Sequence, residues 1–246
     1  MTPGVDLLAA PADATDLVLL AHGGVVDSLA TAGSWRPPIL RMWPFALAAR
    51  SAAPGAAVGL MRYRYRGWNG AEAHPAADLR AVLDRLPARI RRVLLIGHSM
   101  GGRAVVAAGN HSRVAGVLGL APWLPADEPL ITLRGTVVLA HGTLDRITDP
   151  AQTAAYADRL RAAGVPVANF AVEGDKHAML HRATDWNTLV QHVVTAALTD
   201  DAPHCDALTT ASRTDPLPHW NPPTSIPTAI GEIAGTRLRL RVTDRF

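Results

Sequence analysis

The sequence of 246 residues contains a single cysteine, Cys205, and a single lysine, Lys176. One cysteine cannot form an internal disulfide, which excludes a disulfide framework and two-cysteine redox chemistry within the chain. Arginine supplies almost all of the positive charge, and the formal net charge is only +3. Because the arginines are scattered and do not form a clustered patch, the composition argues against a nucleic-acid partner.

Long apolar runs are also missing. No segment reaches the roughly 18 uninterrupted apolar residues that indicate a membrane span. The first 16 residues, MTPGVDLLAAPADATD, carry acidic residues and neither lysine nor arginine, unlike a secretory signal peptide. We therefore expect a cytoplasmic protein with no membrane span.

Metal-binding patterns are the third absence. His177 and His181 lie four residues apart, as two zinc ligands on a helix would, but no glutamate accompanies them in the zincin pattern. We expect neither a metal nor another cofactor.

Short apolar runs are abundant and alternate with amphipathic stretches through residue 199. This pattern predicts an α/β fold, with repeated strand–helix units on a mostly parallel sheet and helices on both faces. Strands are predicted at 16–22, 56–64, 92–97, 114–121, 135–141 and 165–173. Helices are predicted at 38–52, 76–86, 100–109, 150–163 and 186–198. The fourth helix has clear ends, since Asp149 can cap it, Pro150 suits its first position and Gly164 follows its last turn.

The pattern ends near residue 200. Residues 200–228 contain six prolines and no apolar periodicity. We divide the chain into an α/β domain at 1–199 and a C-terminal extension at 200–246, which is either an arm packed on the domain or a disordered tail. Two arginine runs, RYRYR at 62–66 and RLRLR at 237–241, predict strands with one charged face.

The predicted strand at 92–97 runs directly into Gly-His-Ser-Met-Gly and then into a helix-forming stretch. In this context Gly-x-Ser-x-Gly is typical of a sharp turn that strains the serine backbone and exposes its hydroxyl. Gly97 and Gly101 fit such a turn because side chains there would collide with the neighbouring strand and helix. Ser99 is therefore the predicted nucleophile, and a plain helix-capping serine is the alternative.

A serine hydroxyl needs a base, and the base needs an acid that orients it. Asp145 and His177 each follow a predicted buried strand, which places both in loops at the same edge of the sheet as Ser99. The order nucleophile, acid and histidine agrees with this assignment. Asp149 is a rival acid, but helix capping accounts for its position.

Three neighbouring residues receive other roles. Asp175 precedes His177 by two residues and is predicted to shape its loop. His181 is predicted to be a surface or packing residue, and His98 is predicted to point away from the nucleophile.

Acyl transfer places negative charge on the former carbonyl oxygen, so the site needs hydrogen-bond donors at that point. One predicted donor is the backbone amide of Met100, the residue after the nucleophile. The other comes from the loop after the strand at 16–22, where His-Gly-Gly lets the backbone turn its amides inward. Gly24 is the predicted donor there, and Val25 is the alternative.

With these motifs the sequence resembles the α/β-hydrolase superfamily, in particular its small esterase, lipase and dienelactone-hydrolase-like members. The resemblance covers about residues 16–198 through AHGG, GHSMGG, HGTLD and GDKH, in the family's order. It implies the same triad and the same oxyanion donors that are assigned above. The implied activity is cleavage of a carboxylic ester or thioester through an acyl-enzyme intermediate, without a cofactor.

The sequence departs from many of these relatives at the position of their cap domain. Only residues 122–134 separate the strand after the nucleophile helix from the strand before the acid, which is too short for a helical cap. We therefore expect an open pocket roofed by loops. Trp35, Trp68 and Trp123 lie in or beside those loops and form either an apolar substrate site or plain packing.

Other functions remain open because a fold and a triad do not fix a substrate. The same triad serves acyltransferases and haloperoxidase-like enzymes, and a ligand-binding protein without turnover could keep the fold. The expected partner is a small-molecule acyl substrate, of undefined chain length.

Overall fold

The computed structural model describes residues 2–31 and 37–198. The strands of the described residues are β1 (Gly4–Ala9), β2 (Asp16–Ala21), β3 (Ala57–Arg62), β4 (Arg92–His98), β5 (Val114–Leu120), β6 (Thr136–Gly142) and β7 (Ala168–Val172). The helices are α1 (Pro37–Leu40), α2 (Trp43–Ala52), α3 (His74–Arg85), α4 (Met100–Ala108), α5 (Pro150–Ala162) and α6 (Ala183–Leu198). Trp35 and the predicted extension at 200–246 lie outside the described residues.

The strands form one sheet in the order β1-β3-β2-β4-β5-β6-β7. Neighbouring strands are parallel except for β1, which runs antiparallel to β3 at the edge. Helices α2 and α6 cover one face of the sheet, and α3, α4 and α5 cover the other. The central strands are apolar and buried on both faces, as expected for a parallel sheet between two helical layers. The predicted α/β-hydrolase architecture is confirmed.

The carboxyl ends of the parallel strands meet at one edge of this sheet, and the loops that carry the predicted site residues start there. Between β5 and β6 the chain forms no helix, so nothing resembling a cap domain interrupts the sheet at this point. The predicted absence of a large cap is confirmed for the residues that the structure describes.

Strand β1 was not predicted. Its sequence, GVDLLA, is short, and only Val5 is buried, so the apolar signal is weak. The strand is held from outside its own sequence, by pairing with β3 and by an ion pair between Asp6 and Arg62.

The arginine run at 62–66 is not a strand beyond Arg62. The backbone amide of Arg64 donates to the carboxylate of Asp78 at 2.8 Å, and the Arg64 guanidinium pairs with the same buried side chain. A backbone amide that is hydrogen-bonded to a side chain of α3 cannot pair with a neighbouring strand. Strand β3 therefore ends at Arg62, and a loop follows.

Proline accompanies a change in two predicted elements, of which one is divided and the other begins later than predicted. The predicted helix at 38–52 is divided into α1 and α2, and Pro44 occupies the first turn of α2, where its missing amide is tolerated. Strand β7 begins two residues after Pro166, which cannot donate to a neighbouring strand.

The predicted ends of α5 are confirmed. The Asp149 carboxylate accepts a hydrogen bond from the amide of Ala151 at 2.9 Å, and Pro150 is the first helical residue. Gly164, with φ of +79°, follows the end of the helix.

Candidate active site

Ser99 lies in the turn between β4 and α4, with φ of +58° and ψ of −120°. Residues other than glycine rarely adopt this backbone conformation, so the turn is strained. A Cβ on Gly97 would lie 2.2 Å from the Gly101 carbonyl oxygen, and one on Gly101 would lie 2.1 Å from the Ala21 carbonyl oxygen. Glycine at 97 therefore lets α4 lie close to β4, and glycine at 101 lets α4 lie close to the end of β2. The Ser99 side chain does not cap α4, which removes the capping alternative.

Asp145 and His177 meet across two loops at the same edge of the sheet. The Nδ1 atom of His177 lies 2.7 Å from Oδ2 of Asp145. Because a carboxylate only accepts, Nδ1 carries the hydrogen of this bond. A neutral His177 then has its lone pair on Nε2, the state that a general base requires.

Further donors surround Asp145. Its Oδ2 lies 3.0 Å from both His141 Nε2 and Thr148 Oγ1, and its Oδ1 accepts from the amides of Ile147 at 2.8 Å and Thr148 at 3.1 Å. Burial alone would raise the pKa of Asp145, but these hydrogen bonds and the one from His177 outweigh burial and hold the pKa well below its usual value. The carboxylate is therefore ionised at neutral pH.

His141 and Thr148 are functional candidates that the sequence did not reveal. His141 is the penultimate residue of β6 and lies four residues before Asp145, and its Nδ1 lies 2.8 Å from Thr153 Oγ1, which fixes the ring. The only sequence signal was a polar residue at the end of an otherwise apolar strand.

The His177 loop is built around Asp175, whose side chain is fully buried. It accepts from the Lys176 amide at 2.7 Å and from Nε1 of Trp186 at 2.8 Å. Burial opposes ionisation, but the hydrogen bonds outweigh it and lower the pKa of Asp175. This arrangement agrees with the predicted loop-shaping role. The His181 side chain is 61% exposed at the rim of the same loop.

The prediction that His98 points away from the site is wrong. Its ring packs against the His177 ring with 4.7 Å between the centroids, and its Nε2 donates to the His177 carbonyl oxygen at 3.1 Å. Burial, with a smaller contribution from His177, lowers the pKa of His98 to about 3. A neutral His98 thus links the Ser99 turn to the His177 loop.

The Ser99 turn and the His177 loop are adjacent at the sheet edge, because His98 precedes Ser99 and contacts His177. Within the described residues, the hydrogen bonds of His177 run to Asp145, Thr148 and His98. Ser99 Oγ is not among these described partners of His177.

The loop after β2 passes close to Ser99 and Met100. A Cβ on Gly23 would lie 3.3 Å from Ser99 Cβ, and one on Gly24 would lie 2.6 Å from Met100 Cε. The amides of Gly24 and Met100 have no hydrogen-bond partner in the described part of the chain, whereas the Val25 amide donates to a backbone carbonyl at 3.1 Å. Of the two predicted donors in this loop, Gly24 is the one whose amide is available.

The tryptophans at the site differ in exposure. Trp68 is only 5% exposed, and Trp123 is half-buried. Their rings meet edge to face at 6.2 Å, and the Arg103 guanidinium lies 4.0 Å from the Trp68 ring centroid and 4.7 Å from that of Trp123. The Trp123 amide donates to the Ser99 carbonyl at 3.0 Å, so Trp123 is the tryptophan that adjoins the nucleophile.

A small cavity of about 50 Å³ opens beside the proposed oxyanion donor. It is lined by residues 22–25, Pro38, Ile39 and Arg66. Ser99, Met100 and His177 are not among its lining residues.

Residues 2–31 and 37–198 contain no group of three or more histidine, cysteine, aspartate or glutamate side chains that could hold a metal ion. Within the same residues, no helix has the length and apolar character to cross a membrane.

The known proteins to which this chain is similar include alpha/beta hydrolases and esterases. The model of the alpha/beta hydrolase family matches residues 18–236, a range that runs past the predicted domain boundary at 199. No curated protein sequence matches the chain.

Solved structures of similar fold include esterase PE8, at 17% identity and a TM-score of 0.58 over 78% of this chain and 100% of that one. A second is XC6422 from Xanthomonas campestris, described as an a/b serine hydrolase without lid, at 21% identity and a TM-score of 0.56, covering 81% of this chain and 90% of that one. An alpha-beta serine hydrolase homologue from Coxiella burnetii gives 16% identity and a TM-score of 0.56, covering 78% and 97%. At these identities the likeness shows the shared fold.

Proposed function

Because the chain belongs to the alpha/beta hydrolase family, we propose that it is a serine hydrolase that cleaves a carboxylic ester or thioester. Ser99 is the nucleophile, His177 the general base and Asp145 the acid that orients the base. The observation that carries the proposal is the 2.7 Å hydrogen bond between His177 Nδ1 and Asp145 Oδ2, at the sheet edge where Ser99 occupies a strained turn.

In the first step Nε2 of His177 accepts the Ser99 proton while Oγ attacks the carbonyl carbon of the substrate. The imidazolium that forms is stabilised by the ionised Asp145. The carbonyl π electrons move to oxygen, and the amides of Gly24 and Met100 donate to this oxyanion. Both amides lack other partners within the described residues, so no existing hydrogen bond has to break.

Collapse of the tetrahedral intermediate expels the alcohol or thiol, which takes the proton from His177. The acyl group is then bonded to Ser99 Oγ. A water molecule loses its proton to His177, attacks the acyl carbon and forms a second oxyanion at the same donors. Its collapse releases the carboxylic acid and returns the proton to Ser99.

We assign the half-buried Trp123 to the apolar wall of the substrate site, because its backbone amide is hydrogen-bonded to the carbonyl oxygen of Ser99. The more deeply buried Trp68 supports Trp123 through Arg103.

The proposal is tested with p-nitrophenyl acetate, butyrate and octanoate. The relative rates on the three esters measure the acyl chain length that the site accepts. Ser99→Ala should lower kcat/KM by at least about 10³-fold while the far-ultraviolet circular dichroism stays unchanged. Full activity in the folded Ser99→Ala protein would contradict the assignment of the nucleophile.

A further inference from the structure

His22 is a buried polar residue to which the mechanism above gives no role. It follows β2 directly, precedes Gly23 and Gly24, and is only 3% exposed. Its Nδ1 lies 2.7 Å from the carbonyl oxygen of Gly23. A carbonyl oxygen only accepts, so Nδ1 carries the hydrogen of this bond.

The other ring nitrogen of His22 has a different environment. Burial lowers the pKa of His22, so the ring is neutral and Nε2 carries a lone pair. In the described residues Nε2 has no hydrogen-bond partner, and neither has the buried hydroxyl of Tyr63, whose ring lies edge-on to His22 at 4.8 Å. The hydrogen bond to Gly23 is therefore the specific polar interaction of this ring.

That bond acts on the peptide unit that contains the proposed oxyanion donor. The carbonyl of Gly23 and the amide of Gly24 belong to one planar trans peptide and point in opposite directions. Fixing the carbonyl on His22 therefore fixes the direction of the Gly24 N–H. It also polarises that N–H, because hydrogen bonds at the two ends of an amide strengthen each other.

We propose that His22 is a positioning residue that holds the Gly23–Gly24 peptide in place, so that the Gly24 amide faces the oxyanion formed at Ser99. The inference rests on the proposed function. His22 does not exchange a proton with the substrate. It lowers the barrier because the donor is already oriented when charge develops on the carbonyl oxygen.

The test uses two substitutions that place an amide donor at different points. The side-chain nitrogen of asparagine occupies nearly the position of Nδ1 in histidine, and that of glutamine occupies nearly the position of Nε2. His22→Asn therefore keeps the donor to Gly23, whereas His22→Gln moves it away. His111→Gln is the matched control, because His111 pairs with Asp84 away from the site.

Each variant is assayed for kcat and KM with p-nitrophenyl butyrate and for inhibition by butaneboronic acid, which forms a tetrahedral adduct with a serine. We expect His22→Gln to lower kcat about 10- to 100-fold with KM changed less than about threefold, and to weaken boronate binding in proportion. His22→Asn should retain at least about a third of the wild-type kcat. Fluorophosphonate titration counts the active sites, so unfolded protein does not enter kcat.

Equal kcat values in the asparagine and glutamine variants would overturn the inference, as would a loss confined to KM. If either of these results is found while hydrolysis by the wild-type protein is abolished by Ser99→Ala, the proposed function stands and only the role of His22 is refuted. If wild-type hydrolysis does not depend on Ser99, the proposed function fails, and the inference fails with it.

Discussion

The two halves of the candidate site differ in how their polar groups are bonded. In the acid–histidine half, made of Asp145, His141, Thr148 and His177, each side chain has a hydrogen bond to another member. In the nucleophile half, made of Ser99, Gly24 and Met100, the two proposed donor amides have no partner in the described residues.

The difference follows from when each half carries charge. Asp145 is ionised throughout the proposed cycle, and a buried carboxylate needs a full set of donors. The oxyanion exists only near the transition state, so its donors are available only if the resting protein does not use them. The permanently charged carboxylate needs donors that are hydrogen-bonded to it at all times, whereas the short-lived oxyanion needs donors that have no other partner in the resting protein.

The largest expected effect comes from changing the acid without changing its shape. Asp145→Asn keeps the volume but gives the side chain a donor where His177 needs an acceptor, so the base is held in the wrong tautomer. We expect kcat for p-nitrophenyl butyrate to fall by about 10⁴-fold, as in established serine–histidine–aspartate triads. The measurement is steady-state hydrolysis with the folded fraction checked by circular dichroism.

Asp149→Asn is the matched control, because asparagine caps a helix as well as aspartate does. Its kcat should remain within about twofold of the wild type. A large loss in this variant with little loss in Asp145→Asn would reverse the assignment of the acid.

A smaller effect is expected in stability when the His177 loop loses its centre. Asp175→Ala leaves the buried indole N–H of Trp186 and the Lys176 amide without their acceptor. We expect the free energy of unfolding at pH 7 to fall by about 3 kcal/mol, measured by urea denaturation. Because the folded-state pKa of Asp175 is lowered, its stabilisation is present above about pH 4 and is lost as the pH falls further.

The control for this change is Asp158→Ala. Asp158 forms an exposed ion pair with Arg161, and such pairs contribute less than about 1 kcal/mol. Equal losses of unfolding free energy in the two variants would mean that the buried hydrogen bonds of Asp175 stabilise the fold no more than an exposed ion pair does.

The smallest expected effect is a change in the pH dependence of stability. The folded-state pKa of His98 is lowered to about 3, below the value of about 6.5 in the unfolded chain. As the pH falls below 6.5 the unfolded state binds a proton that the folded state does not, so stability falls. The contribution approaches roughly 1.4 kcal/mol per pH unit.

His98→Gln keeps a donor near Nε2 for the His177 carbonyl and removes the titration. The slope of unfolding free energy against pH between 6.0 and 4.5 should therefore decrease by up to about 1.4 kcal/mol per unit, measured by urea denaturation across that range. An unchanged slope would show that His98 is protonated in the fold.

The alternation of apolar runs and amphipathic stretches was enough to predict the parallel sheet, since strands buried on both faces have a strong local signal. The ends of α5 were predictable for the same reason, because Asp149 and Gly164 act on their own neighbours. Strand β1 was not predictable, since its partner β3 lies about fifty residues away and supplies most of its stabilisation.

The same distinction applies to the site. Gly97 identified the turn around Ser99 because the clash it avoids, with the Gly101 carbonyl oxygen, is local. The partners of Asp145 at His141 and Thr148, and the contact of His98 with the His177 loop, depend on how separate loops meet. No spacing along the sequence encodes those distances.

The most direct test of the central claim is covalent labelling by a fluorophosphonate, followed by mass spectrometry of the digested protein. A serine activated by His177 and Asp145 should be labelled at Ser99 in the folded wild-type protein within minutes, and His177→Ala should be labelled at least about 10³-fold more slowly. The protein unfolded in urea should not be labelled. Absence of an adduct on Ser99 in the folded protein would contradict the account.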